Sequence, residues 1–162
     1  MKGVNKKSGF TLIEILVVIG LIAILAAIVL IAINPAKQFA QGRNAQRTSN
    51  VNAILNSIGQ RIADNKGVFA GSFTIGATTY TCPTIAAGPT GIDSAGAGTG
   101  INLTCVVPTY IPSLPDDPAG GLTAPDTGYT VAVDAAGRVT VCAPKAAAET
   151  ALPSPAAICV TR

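Results

Sequence analysis

The sequence predicts an α+β protein in which a long N-terminal helix packs on a small antiparallel β-sheet. Three features predict this class: an apolar run near the start of the chain, an amphipathic continuation beyond it, and short β-branched runs separated by Gly, Pro, Ser and Asp in the second half. The 162 residues suffice for one small globular domain and one membrane segment.

The apolar run from Ile15 to Ile33 is close to the roughly 20 residues that a helix needs to cross a bilayer. A buried helix of a soluble protein would need a larger core around it. A cleavable secretory signal would have a shorter apolar run, and no Ala-x-Ala cleavage site occurs in or just after this one. We therefore predict a transmembrane half of the helix over residues 10–34.

Three lysines precede the run, and they explain the formal net charge of +3. Under the positive-inside rule, Lys2, Lys6 and Lys7 predict that the N-terminus lies in the cytoplasm. Without residues 1–9 the chain is electrically neutral, so its charge does not indicate an anionic partner.

After Asn34-Pro35 the helical pattern resumes, and Pro35 predicts either a kink or the first position of a new turn. We predict the amphipathic half over residues 35–66, with Gly67 as its stop. The predicted apolar face begins at Phe39 and Ala40 and becomes clear at Val51, Ile54, Leu55, Ile58 and Ile62. The predicted polar face consists of Arg43, Asn44, Arg47, Asn50, Asn52, Asn56, Gln60 and Arg61. Joined, the halves would form a helix of roughly 80 Å from about Phe10 to about Asn65.

Residues 67–162 predict a loop-rich β domain. Its predicted elements are a hairpin of Ser72–Ile75 with Thr78–Cys82, an exposed loop at Gly88–Gly100, a strand at Leu103–Val107, a second hairpin of Tyr129–Val133 with Arg138–Cys142, and an edge strand at Ile158–Val160.

Four cysteines, Cys82, Cys105, Cys142 and Cys159, lie beyond the span and predict two disulfides in an oxidising compartment. Zinc is disfavoured because the chain has no His and no CxxC pair. Three pairings are possible. Sequence order and local hairpins favour Cys82 with Cys105 and Cys142 with Cys159.

The segment KKSGFTLIE, from Lys6 to Glu14, resembles the processing motif of type IV prepilins, which precedes an apolar helix as it does here. The resemblance implies that residues 1–9 are a leader, that prepilin peptidase cuts after Gly9, and that the new terminus, Phe10, is N-methylated. It also implies that Glu14 neutralises the terminal amine of a neighbouring subunit during assembly. The alternative is that Glu14 only complements the positive end of the helix dipole.

The resemblance extends in architecture to the C-terminal half. The segment YIPSLPDDP, from Tyr110 to Pro118, followed by Gly128-Tyr129, resembles the loop before the sheet in some pilins and pseudopilins. A disulfide from Cys142 to Cys159 would resemble the C-terminal loop staple of many pilins. The helix proline that is frequent in the pilin span is absent at Ile31.

As a function, the resemblance implies a pilus subunit that polymerises with itself and other pilins into a helical surface filament for adhesion, motility or DNA uptake. Its implied partners are prepilin peptidase, the inner-membrane assembly machinery and, before assembly, the lipid bilayer. One alternative is a pseudopilin of a type II secretion system. A membrane-anchored enzyme or binding domain is a second alternative, although the chain has no His, no GxSxG and no phosphate-binding loop. No enzymatic activity, cofactor or metal is predicted.

Two weaker patterns concern loops. Asp116, Asp117 and Asp126 could supply oxygen ligands to calcium, but solvated turn residues are favoured. Asn102-Leu103-Thr104 fits the glycosylation sequon, but an ordinary loop is favoured.

A third pattern concerns the amphipathic helix. Arg43, Arg47, Arg61 and Lys66 could form a basic stripe for DNA. A solvated helix face is favoured, because the chain has few aromatic residues and is neutral without its leader.

Overall fold

The computed structural model describes residues 9–96 and 98–162, so residues 1–8 of the predicted leader, with its three lysines, lie outside the described residues. The chain divides into two compact units, Met1–Gln38 and Phe39–Arg162. The α+β class is confirmed, with two helices followed by seven strands in the described residues.

The first helix, α1, comprises Leu12–Ile33, and none of its residues is buried. It ends at Asn34, whose φ of 47° is left-handed. Because Pro35 lacks an N–H and restricts the residue before it, the helical ladder is interrupted here. Pro35 is the first residue of the second helix, α2, and the Asn34 side chain accepts a hydrogen bond from the Lys37 N–H at 3.3 Å. The single long helix is therefore two, and Pro35 begins a new turn.

The second helix, α2, comprises Pro35–Asp64 and buries one face in the C-terminal unit. Its buried apolar residues include the predicted Ala40, Val51, Ile54, Leu55 and Ile58. The prediction was wrong for Phe39, which is 68% exposed. The helix ends in a Schellman-type turn, in which the Gly67 N–H donates to the Ile62 carbonyl at 2.8 Å.

The strands form two sheets. The predicted first hairpin is confirmed as a separate two-stranded sheet of β1 and β2. The second sheet has the order β4-β3-β5-β6-β7 and is antiparallel except for the short parallel pair β3 and β4. The strand ranges are β1 Gly71–Ile75, β2 Thr78–Cys82, β3 Thr90–Asp93, β4 Ile101–Asn102, β5 Asp126–Val133, β6 Val139–Ala143 and β7 Ile158–Thr161. The second hairpin and the edge strand are thus also confirmed.

Two predictions about the middle of the chain were wrong. The loop predicted from residue 88 to 100 contains β3, because Ile92 is buried in the core while Thr90, Gly91 and Asp93 pair with β5. The strand predicted at residues 103–107 is a 3-10 turn at Thr104–Val106. The Asn102 side chain accepts a hydrogen bond from the Thr104 N–H at 2.8 Å, which starts the turn and ends the strand.

Both disulfides connect elements that lie close together. Cys82 at the end of β2 bonds to Cys105 in the 3-10 turn, and Cys142 in β6 bonds to Cys159, its register partner in β7. These are the two pairings that sequence order favours.

The buried centre of the C-terminal unit also contains an ion cluster around Arg47, which is fully buried. Its Nε and Nη2 donate to Asp117 at 2.7 and 2.9 Å, and its Nη1 donates to Glu149 at 2.5 Å. Arg43, one turn earlier in α2, donates to both Glu149 oxygens at 2.8 and 2.5 Å. The two arginines of α2 thus bind two carboxylates from loops that are distant in sequence, and the cluster as a whole has no net charge.

Gly128 makes room for this cluster. Its φ is 78°, and a Cβ built on it would lie 3.0 Å from the Cβ of Asp117. A larger residue at this position would therefore strain the backbone and press on the carboxylate that faces Arg47.

A second arginine of the predicted polar face is also buried. Arg61 lies with its guanidinium carbon 4.4 Å from the centre of the Phe73 ring and donates to the Gly71 carbonyl at 3.3 Å. Phe73 in turn stacks on Tyr80 with ring centres 5.3 Å apart. Arg61 therefore holds the β1–β2 hairpin against α2 through a cation–π contact.

The cluster lowers the pKa values of its carboxylates. The hydrogen bonds from Arg43, and then from Arg47, lower the pKa of Glu149 from 4.5 to about 2. Burial is the largest single influence on the pKa of Asp117 and would raise it. The Arg47 hydrogen bonds, the Ala119 N–H and the charges of Arg47 and Lys145 together outweigh burial and hold that pKa below its ordinary value. The ionised forms are thus the ones that the fold stabilises.

Arg47→Met should lower the free energy of unfolding by about 3–5 kcal/mol, because it leaves two carboxylates with one partly exposed cation. The measurement is denaturant unfolding of the full chain in detergent with the disulfides intact. Asp134→Asn is the control, since it removes an exposed pair with Arg138 and should leave the unfolding midpoint unchanged. Equal midpoints for the two variants would contradict a stabilising role for the cluster.

Stability should also depend on acid in a defined range. Because the folded pKa of Glu149 is depressed, its contribution is complete above about pH 4.5 and is lost as the pH falls toward about 2. Unfolding free energies measured from pH 6 to pH 2 should therefore fall less steeply for Glu149→Gln than for the parent chain. Parallel profiles would contradict this assignment.

Candidate processing and assembly site

Gly9 and Phe10 lie before the first turn of α1 and are both exposed. The Phe10 side chain is 84% exposed, and a Cβ added to Gly9 would meet nothing within 4 Å. No packing within the described chain therefore requires glycine at this position. A requirement for Gly9 would have to come from a molecule that approaches the backbone here.

Thr11 and Glu14 form a capping box at the start of α1. The Glu14 Oε2 accepts hydrogen bonds from the Thr11 N–H and from the Thr11 hydroxyl, both at 2.8 Å, while the Thr11 hydroxyl oxygen accepts from the Glu14 N–H at 3.3 Å. The box satisfies donors that the helix itself cannot satisfy. Thr11 was not singled out as functional, although the spacing Thr-x-x-Glu carries the signal for it.

The geometry gives Glu14 a role within its own chain, because its carboxylate caps the positive end of α1. The side chain remains exposed. Both hydrogen bonds from Thr11 go to Oε2 of Glu14. The other carboxylate oxygen, Oε1, can therefore bind a cation while the cap stays in place. The arrangement is compatible with both interpretations of Glu14.

The helix that follows is the single one in the described part of the chain that is long and apolar enough to cross a membrane. All of its large apolar side chains, from Leu12 to Ile33, are about half exposed or more. No residue in the described part of the chain buries them.

The three aspartates considered for calcium do not converge as a ligand set. Both oxygens of Asp117 accept from Arg47, and Asp126 caps a turn by accepting from the Gly128 N–H at 2.9 Å. The interpretation of Asp117 as a solvated turn residue was wrong, because Arg47 provides it with a buried partner. Within residues 9–96 and 98–162, no group of three or more His, Cys, Asp or Glu side chains is placed to hold a metal.

The arginines of α2 form neither the basic stripe for DNA nor the solvated helix face that the sequence analysis considered. Arg47 and Arg61 are buried, so they form neither a stripe for DNA nor a solvated face. Arg43 is bound to Glu149, and Lys66 is exposed beyond the helix end. No sequence signal pairs Arg47 with Asp117 or Glu149, since 70 and 102 positions separate them.

Asn102 of the sequon is exposed at the end of β4. Its Oδ1 accepts hydrogen bonds from the Thr104 N–H at 2.8 Å and from the Thr104 hydroxyl at 2.6 Å. These bonds explain the turn that follows β4.

Comparison with protein families identifies the model of the prokaryotic N-terminal methylation motif, which matches residues 4–30. Comparison with curated proteins and with solved structures returned no match. The matched residues include Gly9, Phe10, the capping box and most of α1. The chain therefore carries the prokaryotic N-terminal methylation motif, the hallmark of type IV pilin and pseudopilin precursors, on an α+β layout consistent with the pilin fold.

Proposed function

We propose that this protein is a structural subunit of a type IV pilus. Its precursor is a single-pass protein of the inner membrane with a cytoplasmic N-terminus, and prepilin peptidase cuts it after Gly9 and methylates Phe10. The mature chain then polymerises through α1 into a surface filament. The observation that carries this proposal is that none of the 22 residues of α1 is buried, on a helix that begins with the methylation motif.

The organisation that follows has four parts. Residues 1–9 are the leader, residues 10–34 the transmembrane half of the helical region, residues 35–66 its amphipathic half, and residues 67–162 the disulfide-stapled globular domain. Among the described residues of the transmembrane half, none of those in α1, Leu12–Ile33, is buried.

The hydrophobic effect explains why α1 must associate. Each large aliphatic side chain gains about 1.5–3 kcal/mol when it is fully buried. Lipid covers these side chains before assembly, and α1 helices of other subunits can cover them afterwards. A filament is therefore an environment outside the membrane in which this helix is stable.

The ends of α1 explain how assembly could be directed. A cut after Gly9 creates an amine at Phe10, beside the positive end of the helix, where a cation is disfavoured. The capping box survives the cut, because the Thr11 N–H belongs to the peptide bond with Phe10. Glu14 of a neighbouring subunit would neutralise the amine, and both charges would then enter the apolar interior as a pair.

A pseudopilin of a type II secretion system is the alternative, and the same motif supports it. A third class, a membrane-anchored enzyme or binding domain, has no site of its own among the described residues. Electron microscopy of sheared surface filaments separates the first two functions. A pilus subunit should be found in such filaments, whereas a pseudopilin should instead be required for protein export.

Gly9→Leu should leave uncut precursor in the membrane, because the larger side chain blocks the extended backbone from the peptidase. Mass spectrometry of the membrane fraction distinguishes the precursor from the product that begins at Phe10. Gly20→Leu is the matched control, since Gly20 also has open space around it but lies outside the cleavage motif. Normal cutting of the Gly9 variant would contradict the proposed site.

Variants of Glu14 separate its two roles. Glu14→Gln keeps a side chain that can complete the capping box but removes the charge, whereas Thr11→Ala weakens the cap and keeps the charge. If the amine of a neighbour is the partner, both variants should be cut normally, but only the Thr11 variant should still form filaments, as counted by electron microscopy. Normal filaments from Glu14→Gln would show that capping alone is required.

A further inference from the structure

A cavity of about 450 Å³ lies beside the ion cluster, within the C-terminal unit. Helix α2 provides one wall through Arg43 and Arg47, and the 3-10 turn Pro144–Ala148 provides another through Lys145. The other lining residues are Pro118, Ala119, Ala148 and Glu149. Three cations and one carboxylate thus line the same cavity.

The charges around this cavity do not cancel. Arg43 and Arg47 balance the two carboxylates of the ion cluster, which they bind directly. Lys145 is a third cation, and it forms no ion pair within the described part of the chain. Its ammonium donates to the Gly120 carbonyl at 3.0 Å, and its charge helps to lower the pKa of Asp117. One positive charge beside the cluster is therefore in excess.

Hydrogen-bond donors are also in excess, because the carboxylate oxygens already have partners. Glu149 Oε1 accepts from both arginines, and its Oε2 accepts from Arg43. Both oxygens of Asp117 accept from Arg47. By contrast, Nη1 of Arg43 has no partner among the described residues, and the Arg43 side chain is 35% exposed. Lys145 keeps two further N–H donors. The cavity therefore offers donors and positive charge to a ligand, but few acceptors.

We propose that this cavity binds a phosphate group, with the Lys145 ammonium and Nη1 of Arg43 as its donors. A phosphate is an anion with several oxygens, so it can accept from an arginine edge and a lysine ammonium at the same time. Small-molecule sites have volumes of roughly 300–1,000 Å³, so this cavity has room for a phosphate monoester as well as for the free ion. The proposal is independent of the pilus function, because all of its residues belong to the C-terminal unit.

The test is titration calorimetry of the full chain in detergent, in a neutral, phosphate-free buffer of constant ionic strength. Inorganic phosphate and glycerol phosphate are titrated separately, and saturable binding of the ester alone would assign the source of the group to an ester. Lys145→Met should weaken binding by about tenfold or more, because it removes the excess charge and a charge-assisted hydrogen bond. Lys66→Met is the matched control, since Lys66 is exposed beyond the end of α2 and does not line the cavity.

A second pair of variants adds charge instead of removing it. Ala148 is exposed and lines the cavity, so Ala148→Glu should prevent phosphate binding by repulsion. Ala148→Gln is similar in size to the Glu variant but neutral, and it should bind as the parent chain does. This pair decides the question if Lys145→Met lowers the unfolding midpoint.

The outcomes are distinct. Weakened binding in Lys145→Met and Ala148→Glu, with parental binding in both controls, supports the site. The absence of saturable binding to the parent chain overturns it. Equal weakening in Lys66→Met also overturns it, because phosphate would then respond only to the overall charge of the protein.

Discussion

No described residue of the chain buries any part of α1, and this is the constraint on which the rest of this protein depends. A helix of 22 residues with no buried side chain is not stable in water, so lipid or other helices must surround it. The matched methylation motif and the capping box both lie at the start of this segment. The globular unit has to fold without its help, and the aliphatic core and two disulfides of that unit meet this requirement.

Charge is used sparingly in the described chain. The central ion cluster links α2 to the loop at Asp117 and to the disulfide loop at Glu149, and it has no net charge. Burying such a cluster gives little net stability over an apolar core, but each partner is costly to remove, and the geometry is specific. The cluster thus selects how two loops without regular structure lie on the helix.

The start of α1 combines a local role with the proposed role between subunits. Glu14 completes a cap within its own chain, so its carboxylate is already oriented when a second subunit approaches. This is preorganisation by hydrogen bonds from a single residue, Thr11. In the proposed mature chain, the amine of Phe10 would lie at the positive end of the same helix, where a cation is disfavoured unless a carboxylate neutralises it.

Local patterns in the sequence were sufficient to predict the apolar helix from Ile15 to Ile33 and the apolar face around Ile54 and Ile58. They also predicted the two hairpins and located the motif at Gly9 and Glu14. These depend on residues that are near neighbours along the chain, whose periodicity and turn chemistry are visible without a fold. Tertiary structure alone decided the strand at Ile92 and the burial of Arg47 and Arg61. A strand forms where a partner strand provides hydrogen bonds for its backbone. An arginine can be buried only where carboxylates or aromatic rings from distant parts of the chain contact it. Both conditions depend on the tertiary fold and are not visible in the local sequence.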